Sequence, residues 1–156
     1  MLPCIQYKPT RKQLIHLHKI LGVNSATVPS NLGGGQNGHL VLMITLPEYN
    51  TQIKHAFIVP HKPGGFSPAP LPGVTLAQIA QINWVHEKSL QLLHTYVNTN
   101  RVIKQQLQKA VYDIYLSAIK DYITIYANTC IHESILHLYK TYGTFDDLTM
   151  KRTMSE

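Results

Sequence analysis

The residues best suited to chemistry in this chain are a glycine cluster and nine histidines. Gly33 and Gly38 have the spacing of the two glycines in a phosphate-binding P-loop. That loop also requires Lys and then Ser or Thr after the second glycine, and here His39 and Leu40 occupy those positions. We therefore predict a rigid structural turn that binds no ligand, locked by a hydrogen bond from His39. Its residues are Gly33, Gly34, Gly35, Gly38 and His39.

The histidines do not form a metal-binding pattern. His132 and Glu133 resemble the start of a zincin motif, but the second histidine of that motif would stand at position 136, which is Leu. His137 comes one residue later, about 140° around a helix from His132, too far for one ion to join them. The chain has two cysteines, neither in a C-x-x-C pair, and no G-x-S-x-G motif. The sequence therefore predicts no catalytic residue, no metal, no cofactor and no small-molecule substrate.

Charge is sparse and unevenly placed. Charged residues make up 14% of the chain, against about 25% in typical domains, which leaves the surface less protected against self-association. The net charge is +6, and four basic residues precede the first acid, Glu48. These residues could contact RNA through diffuse, salt-sensitive attraction, or they could simply form the solvated face of the first helix. The possible RNA contacts are Lys8, Arg11, Lys12 and Lys19.

Neither a secretion signal nor a membrane span is expected from the sequence. The N-terminus lacks the apolar stretch of a signal peptide, and no run of about 18 apolar residues occurs. Few cysteines fit a reducing compartment. We therefore expect a soluble, cytoplasmic protein with no membrane partner.

The elements that position the glycine turn can also be predicted. Thr10 and Gln13 have capping-box spacing, and an apolar stripe (Leu14, Leu17, Leu21) indicates a first helix that Gly22 should end. The apolar run 39–46 suits a buried strand and a buried helix equally. Pro47 then starts a short helix.

Helical spacing dominates the second half. Thr75 and Gln78 form another capping-box pattern, followed by a stripe of Ile79, Ile82, His86, Leu90, Leu93 and Val97. Residues 98–100 (Asn-Thr-Asn) should end that helix and cap the next. Asp113 should cap a short helix carrying Leu116, Ile119 and Ile123. A last helix should open at Asn128–Thr129 and end at Gly143.

The predicted organisation is one all-α domain, a small helical bundle with a Gly-rich turn and a Pro-rich connector in its front half. Residues 1–59 hold the first helix, the glycine turn and a short apolar element. Residues 60–73 form a Pro/Gly-rich connector, residues 74–143 form the helical half, and residues 144–156 form a polar tail that should fray.

Several stretches, taken in order, resemble the N-terminal part of Gag-like capsid proteins from copia-type LTR retrotransposons. The resemblance covers roughly residues 7–150. The stretches that carry it are 32–40 (LGGGQNGHL), 48–49 (EY), 57–64 (FIVPHKPG), 86–88 (HEK), 104–107 (KQQL), 114–116 (IYL) and 137–143. Unlike the family pattern, Tyr112 and Asp113 stand where Asp-Pro is common before Ile-Tyr-Leu, which weakens the predicted helix break there.

The resemblance implies a fold like the capsid N-terminal domain and a non-enzymatic structural function. Proteins of this family assemble into a shell around the element's RNA, so the partners it implies are other copies of the chain and RNA. The alternative hypothesis is a small basic helical module that binds nucleic acid through the first helix.

Overall fold

A computed structural model describes residues 1–63 and 71–143 of the chain. Within them the fold is all-α, as predicted, and contains no strands, only two isolated bridges. Residues 64–70 of the predicted connector and the predicted tail 144–156 lie outside the described residues. The five helices are α1 (Arg11–Thr27), α2 (Leu46–Gln52), α3 (Leu76–Ala110), α4 (Asp113–Leu116) and α5 (Ile131–Tyr142).

Helix α1 begins where its capping box predicts but ends later. The Thr10 side chain accepts from the Gln13 amide, and the Gln13 side chain accepts from the Thr10 amide. The predicted stop at Gly22 is wrong, because the helix continues to Thr27. Ser25 is fully buried beyond the glycine, and its hydroxyl donates to the Gly22 carbonyl at 2.9 Å. Packing therefore offsets the roughly 1 kcal/mol that glycine costs inside a helix.

The apolar run 39–46 is neither of the two predicted elements. A single 3₁₀ turn spans Leu40–Leu42, and α2 starts directly after Thr45, whose side chain forms a capping box with Glu48. Pro47 stands in the first turn of α2, as predicted. Val41, Leu42 and Met43 are all buried although they are consecutive, because Val41 packs into one hydrophobic cluster and the other two pack into another.

Helix α3 is one continuous element of 35 residues, so the predicted break at residues 98–100 is wrong. Thr99 is buried, and its hydroxyl donates to the Thr95 carbonyl at 2.7 Å, which satisfies the side chain without ending the helix. The predicted stripe between Ile79 and Val97 contributes no buried residue. The buried positions of α3 are Thr99, Ile103, Leu107 and Ala110.

The end of the described chain differs from its prediction in three places. The N-cap of α4 is Tyr112, so the prediction that Asp113 caps this helix is wrong and Asp113 is its first residue. Helix α4 stops at Leu116 and gives way to a 3₁₀ turn over Ser117–Ile119, while Ile123 is exposed in a loop and belongs to no helix. Helix α5 opens at Ile131, two residues after the predicted Asn128–Thr129, with Cys130 as its N-cap. It ends at Gly143, as predicted.

Two hydrophobic clusters hold these elements together. The larger joins α1, the second half of α3, α4 and α5, and also buries Ile5, whose amide donates to the Ala110 carbonyl at 2.7 Å. The smaller consists of Val41, Tyr49 and Phe57. Leu40 and Tyr96 pack against both clusters. Residues 1–59 and residues 74–143 therefore share one core.

Candidate functional site

The glycine-rich turn lies over the smaller hydrophobic cluster. Gly34, Gly35 and Gly38 have φ angles of +89°, +83° and +49°, a region that side-chain-bearing residues rarely adopt. Gly33 lies directly against Tyr49, whose hydroxyl donates to the Gly33 carbonyl at 2.9 Å. Phe57 meets the Tyr49 ring edge to face, with 5.6 Å between ring centroids. The rings of Tyr49 and Phe57 therefore pack closely against the backbone of this turn.

The second end of the turn is attached to α1. Gly38 lies so close to α1 that a Cβ atom there would stand 2.2 Å from the Ala26 carbonyl oxygen. The His39 amide donates to the Ser25 carbonyl at 3.0 Å, and the His39 Nδ1–H donates to the Val28 carbonyl at 2.9 Å. The His39 side chain is 1% exposed. These contacts give the glycines and His39 an architectural position, with the histidine ring turned into the protein.

A groove of about 620 Å³ separates the turn region from the first half of α3. The α3 side of the groove carries Trp84, which is half exposed, and Lys88, whose Nζ lies 5.8 Å from the centroid of the Trp84 ring. Asn31 and Leu32 line the opposite wall. The groove therefore combines a cation and an aromatic surface with amide and apolar groups, but no acid lines it.

The four predicted RNA contacts do not form a single set. Lys8, Lys12 and Lys19 are exposed, and Lys12 and Lys19 share a face of α1 because seven residues make nearly two turns. Arg11 differs, because its Nη1 donates to the Gly143 carbonyl at 3.2 Å, at the C-terminal end of α5. A cation there complements the partial negative charge of the helix end. Arg11 therefore helps to hold the start of α1 against the end of α5.

A second groove, the α1 groove, opens beside Lys19. It has a volume of about 460 Å³ and a mainly apolar lining from α1, the first 3₁₀ turn and α5. Ile15 and Val23 on its rim are 51% and 56% exposed. Residues lining the α1 groove include Ile15, Lys19, Val23, Leu40, Met43 and Tyr139.

A loop between α4 and α5 exposes two apolar side chains to solvent. In this 121–125 loop, Tyr122 is 100% exposed and Ile123 is 84% exposed. The Asp121 and Ile125 backbones exchange two hydrogen bonds, of 2.8 and 3.0 Å. The Asp121 carboxylate accepts from the Ile123 and Thr124 amides at 2.9 and 2.7 Å. These bonds fix the loop although Ile125, a β-branched residue, has a φ of +58°.

The base of this loop contains a small polar network. The buried Tyr126 hydroxyl donates to the Asp113 carboxylate, which also forms a 3.0 Å ion pair with Lys120. The Tyr126 hydrogen bond and the Lys120 ammonium hold the pKa of Asp113 below its usual value. Backbone hydrogen bonds from Thr124 and Ile123 likewise lower the pKa of Asp121. Both carboxylates are therefore ionised at neutral pH.

Comparisons with models of protein families, with curated proteins and with solved structures gave no match to this chain. Among the described residues, no three His, Cys, Asp or Glu side chains are grouped so that they could hold a metal ion. No helix in the described part of the chain is long and apolar enough to cross a lipid bilayer. The Gag-like resemblance therefore stays an expectation from the sequence.

Sequence reasoning missed the 121–125 loop and Trp84. It assigned Ile123 to a helical stripe, because Leu116, Ile119 and Ile123 have helical spacing. The signal that could have corrected it is Asp121, since an aspartate favours a turn by accepting from amides two or three residues later. Trp84 lies outside the apolar stripe of α3, so the helical spacing gave no reason to single it out.

Proposed function

We propose that this chain is a non-enzymatic, Gag-like structural protein of a retrotransposon, which self-assembles into a capsid-like shell around the element's RNA. Self-assembly is supported by the exposure of several large apolar side chains to solvent, although the chain has a hydrophobic core. They occur on α3, on α4 and on the 121–125 loop: Leu76, Trp84, Ile114, Tyr122 and Ile123. Burying such side chains against another copy would remove apolar surface from water, which favours association.

The low charge of the chain supports the same proposal. Only 14% of residues are charged, so few charged side chains have to be removed from water when copies pack together. One ion pair, between Lys120 and Asp113, occurs in the described part, and it lies beside the exposed apolar loop. The family assignment within this proposal rests on the resemblance of the sequence, from the glycine turn to the final helix.

Light scattering coupled to size-exclusion chromatography, run from micromolar to near-millimolar protein, tests this proposal. We expect the weight-average mass to rise with concentration and the rise to persist in high salt, since apolar burial is screened little by ions. A mass that stays at 17.6 kDa over the whole range would contradict self-assembly. A mass rise that high salt abolishes would indicate a purely electrostatic contact.

The second candidate function, nucleic-acid binding through α1, is favoured by the exposed Lys12 and Lys19 on this helix and by the exposed Lys8, which precedes it. Replacing these three lysines with Gln should weaken RNA binding. It should also lower the slope of log K against log salt by about 2 to 3, because each phosphate that a lysine neutralises contributes about 0.7–0.9 to that slope. Arg11 should be retained in this variant, because its bond to Gly143 makes it a structural residue. Unchanged binding would exclude α1 as the RNA-binding surface.

A further inference from the structure

We propose that Tyr122 and Ile123 of one copy insert into the α1 groove of a second copy, so that copies associate head to tail. This inference rests on the self-assembly proposed above and names the two surfaces that would make the contact. It predicts a contact between two different patches, which places each copy between two neighbours.

The 121–125 loop has the properties of an inserting element. Its two tip side chains, Tyr122 and Ile123, are almost fully exposed. The paired backbone bonds between Asp121 and Ile125 and the Asp121 carboxylate hold the tip in one shape. At the base, the Lys104 Nζ donates to the carbonyls of residues 126 and 127, at 3.4 and 2.9 Å, and so ties the loop to α3. A preorganised tip loses little conformational entropy on binding.

The strain at Ile125 supports a functional reason for this shape. A β-branched residue with positive φ costs of order 1–3 kcal/mol, and such residues cluster where a site must keep a set geometry. Relaxing Ile125 would break its two hydrogen bonds to Asp121 and release the tip. The fold therefore keeps a costly backbone conformation whose visible effect is to present two apolar side chains.

The α1 groove has an apolar lining and a positively charged edge that are complementary to the 121–125 loop. Its lining is mainly apolar, its volume of about 460 Å³ accommodates large side chains, and Ile15 and Val23 on its rim remain half exposed. Lys19 lines one edge, and Lys12 lies two turns earlier on the same face of α1. No acid occurs in the sequence before Glu48, so α1 carries positive charge alone.

Charge complementarity points to a second copy as the occupant. The 121–125 loop itself carries one charged side chain, the Asp121 carboxylate, while at its base the charge of Asp113 is offset by Lys120. The α1 groove is lined by Lys19 and no acid. Opposite charges would meet when the loop of one copy enters the groove of the next, which favours this orientation over loop against loop.

The two surfaces share no residue, so the contact is heterologous and can repeat. Such contacts form a ring if the rotation closes and an open chain if it does not. Tyr122 and Ile123 together would bury about 300–400 Å², since one aromatic side chain accounts for about 150–250 Å². A stable interface needs about 800 Å² per partner, so a single contact should be weak and reversible.

The test uses two variants of the full chain in sedimentation velocity. In the tip variant, Tyr122→Ser and Ile123→Ser remove exposed side chains that stabilise nothing in the monomer. In the groove variant, Val23→Glu places a negative charge on the exposed rim. We expect each substitution to raise the dissociation constant at least tenfold. The matched control is Leu71→Ser, which removes a side chain that is 76% exposed but lies outside both surfaces, and should associate like the wild type.

Mixing the two variants separates head-to-tail contact from a symmetric one. The tip variant keeps its groove and the groove variant keeps its tip, so an equimolar mixture should form a one-to-one heterodimer that grows no further. Failure to form that heterodimer, or wild-type association by either variant, would overturn the inference while leaving self-assembly standing. A wild-type chain that stays monomeric would instead refute the proposed function.

Discussion

Replacing Gly38 with Ala tests whether the glycine turn is fixed by contact with α1. Gly38 has a φ of +49°, and an alanine Cβ would lie 2.2 Å from the Ala26 carbonyl oxygen and 2.4 Å from that of Val28. Positive φ alone costs about 1–2 kcal/mol for a residue with a side chain. Overlap with fixed atoms adds about 1–3 kcal/mol, because two backbone carbonyls of the α1 end must move. We expect a total loss of about 2–5 kcal/mol.

Gly35→Ala is the matched control. Gly35 belongs to the same turn and has a φ of +83°, but its nearest contact for an added Cβ is the Asn31 side chain at 3.4 Å. Gly35→Ala should therefore lose only the unfolding free energy that positive φ costs, about 1–2 kcal/mol. Thermal unfolding followed by circular dichroism measures both, since 1 kcal/mol shifts the melting temperature of a chain this size by about 2–4 °C. A Gly38→Ala variant that melts at or above Gly35→Ala would refute the contact argument.

The glycine turn and the Asp113 network give three further predictions. Gly34→Val should lose more than about 1 kcal/mol of unfolding free energy, because its φ is +89°, and an unchanged melting temperature would contradict this. His39→Ala should lose about 1–3 kcal/mol in urea titration, because the Val28 carbonyl loses its donor, whereas a loss within error would exclude that bond as a lock. The pKa of Asp113 is lowered in the fold, chiefly by Tyr126, so this stabilisation is present above its unfolded pKa of about 3.9 and disappears as pH falls through the folded pKa. The melting temperature of Tyr126→Phe should therefore fall less on acidification than that of the wild type. An equal fall would count against a role for the hydrogen bond from Tyr126 to Asp113.

Helix starts were predicted correctly where the signal is local. Thr10 with Gln13 and Thr75 with Gln78 form the expected capping boxes. Such a motif satisfies two backbone amides with side chains from the same four residues, so no distant contact is needed to form it. The start of α5 was displaced by two residues, because the chain uses the less common N-cap Cys130.

The end of α5 at Gly143 was predicted correctly, but two other predicted helix ends were wrong because distant packing decides them. Gly22 and the 98–100 segment both carry stop signals, yet helices run through each. In both places a small hydroxyl residue, Ser25 or Thr99, is buried against a neighbouring element and returns its hydrogen bond to its own helix. The cost of a weak helix former is small compared with the burial that continuing the helix provides.

The candidate surfaces could be predicted only in part. The sequence identifies the glycine cluster, but which glycines adopt positive φ depends on how Tyr49 and the end of α1 pack against them. Exposure of Tyr122 could not be predicted from residue type, since aromatic residues are more often buried. The α1 groove brings together residues from three separate elements, and no local pattern encodes such a meeting.

The continuity of α3 has a consequence for how it exchanges its amide hydrogens. All of its buried residues lie from Thr99 onward, while the preceding turns rest on partly covered side chains. At 1.5 Å per residue, the helix is about 52 Å long, and the turns before Tyr96, which packs against both clusters, can fray without disrupting the main core. Amides before residue 95 should therefore exchange with deuterium faster than those between 103 and 110, so that one unbroken helix has two levels of protection.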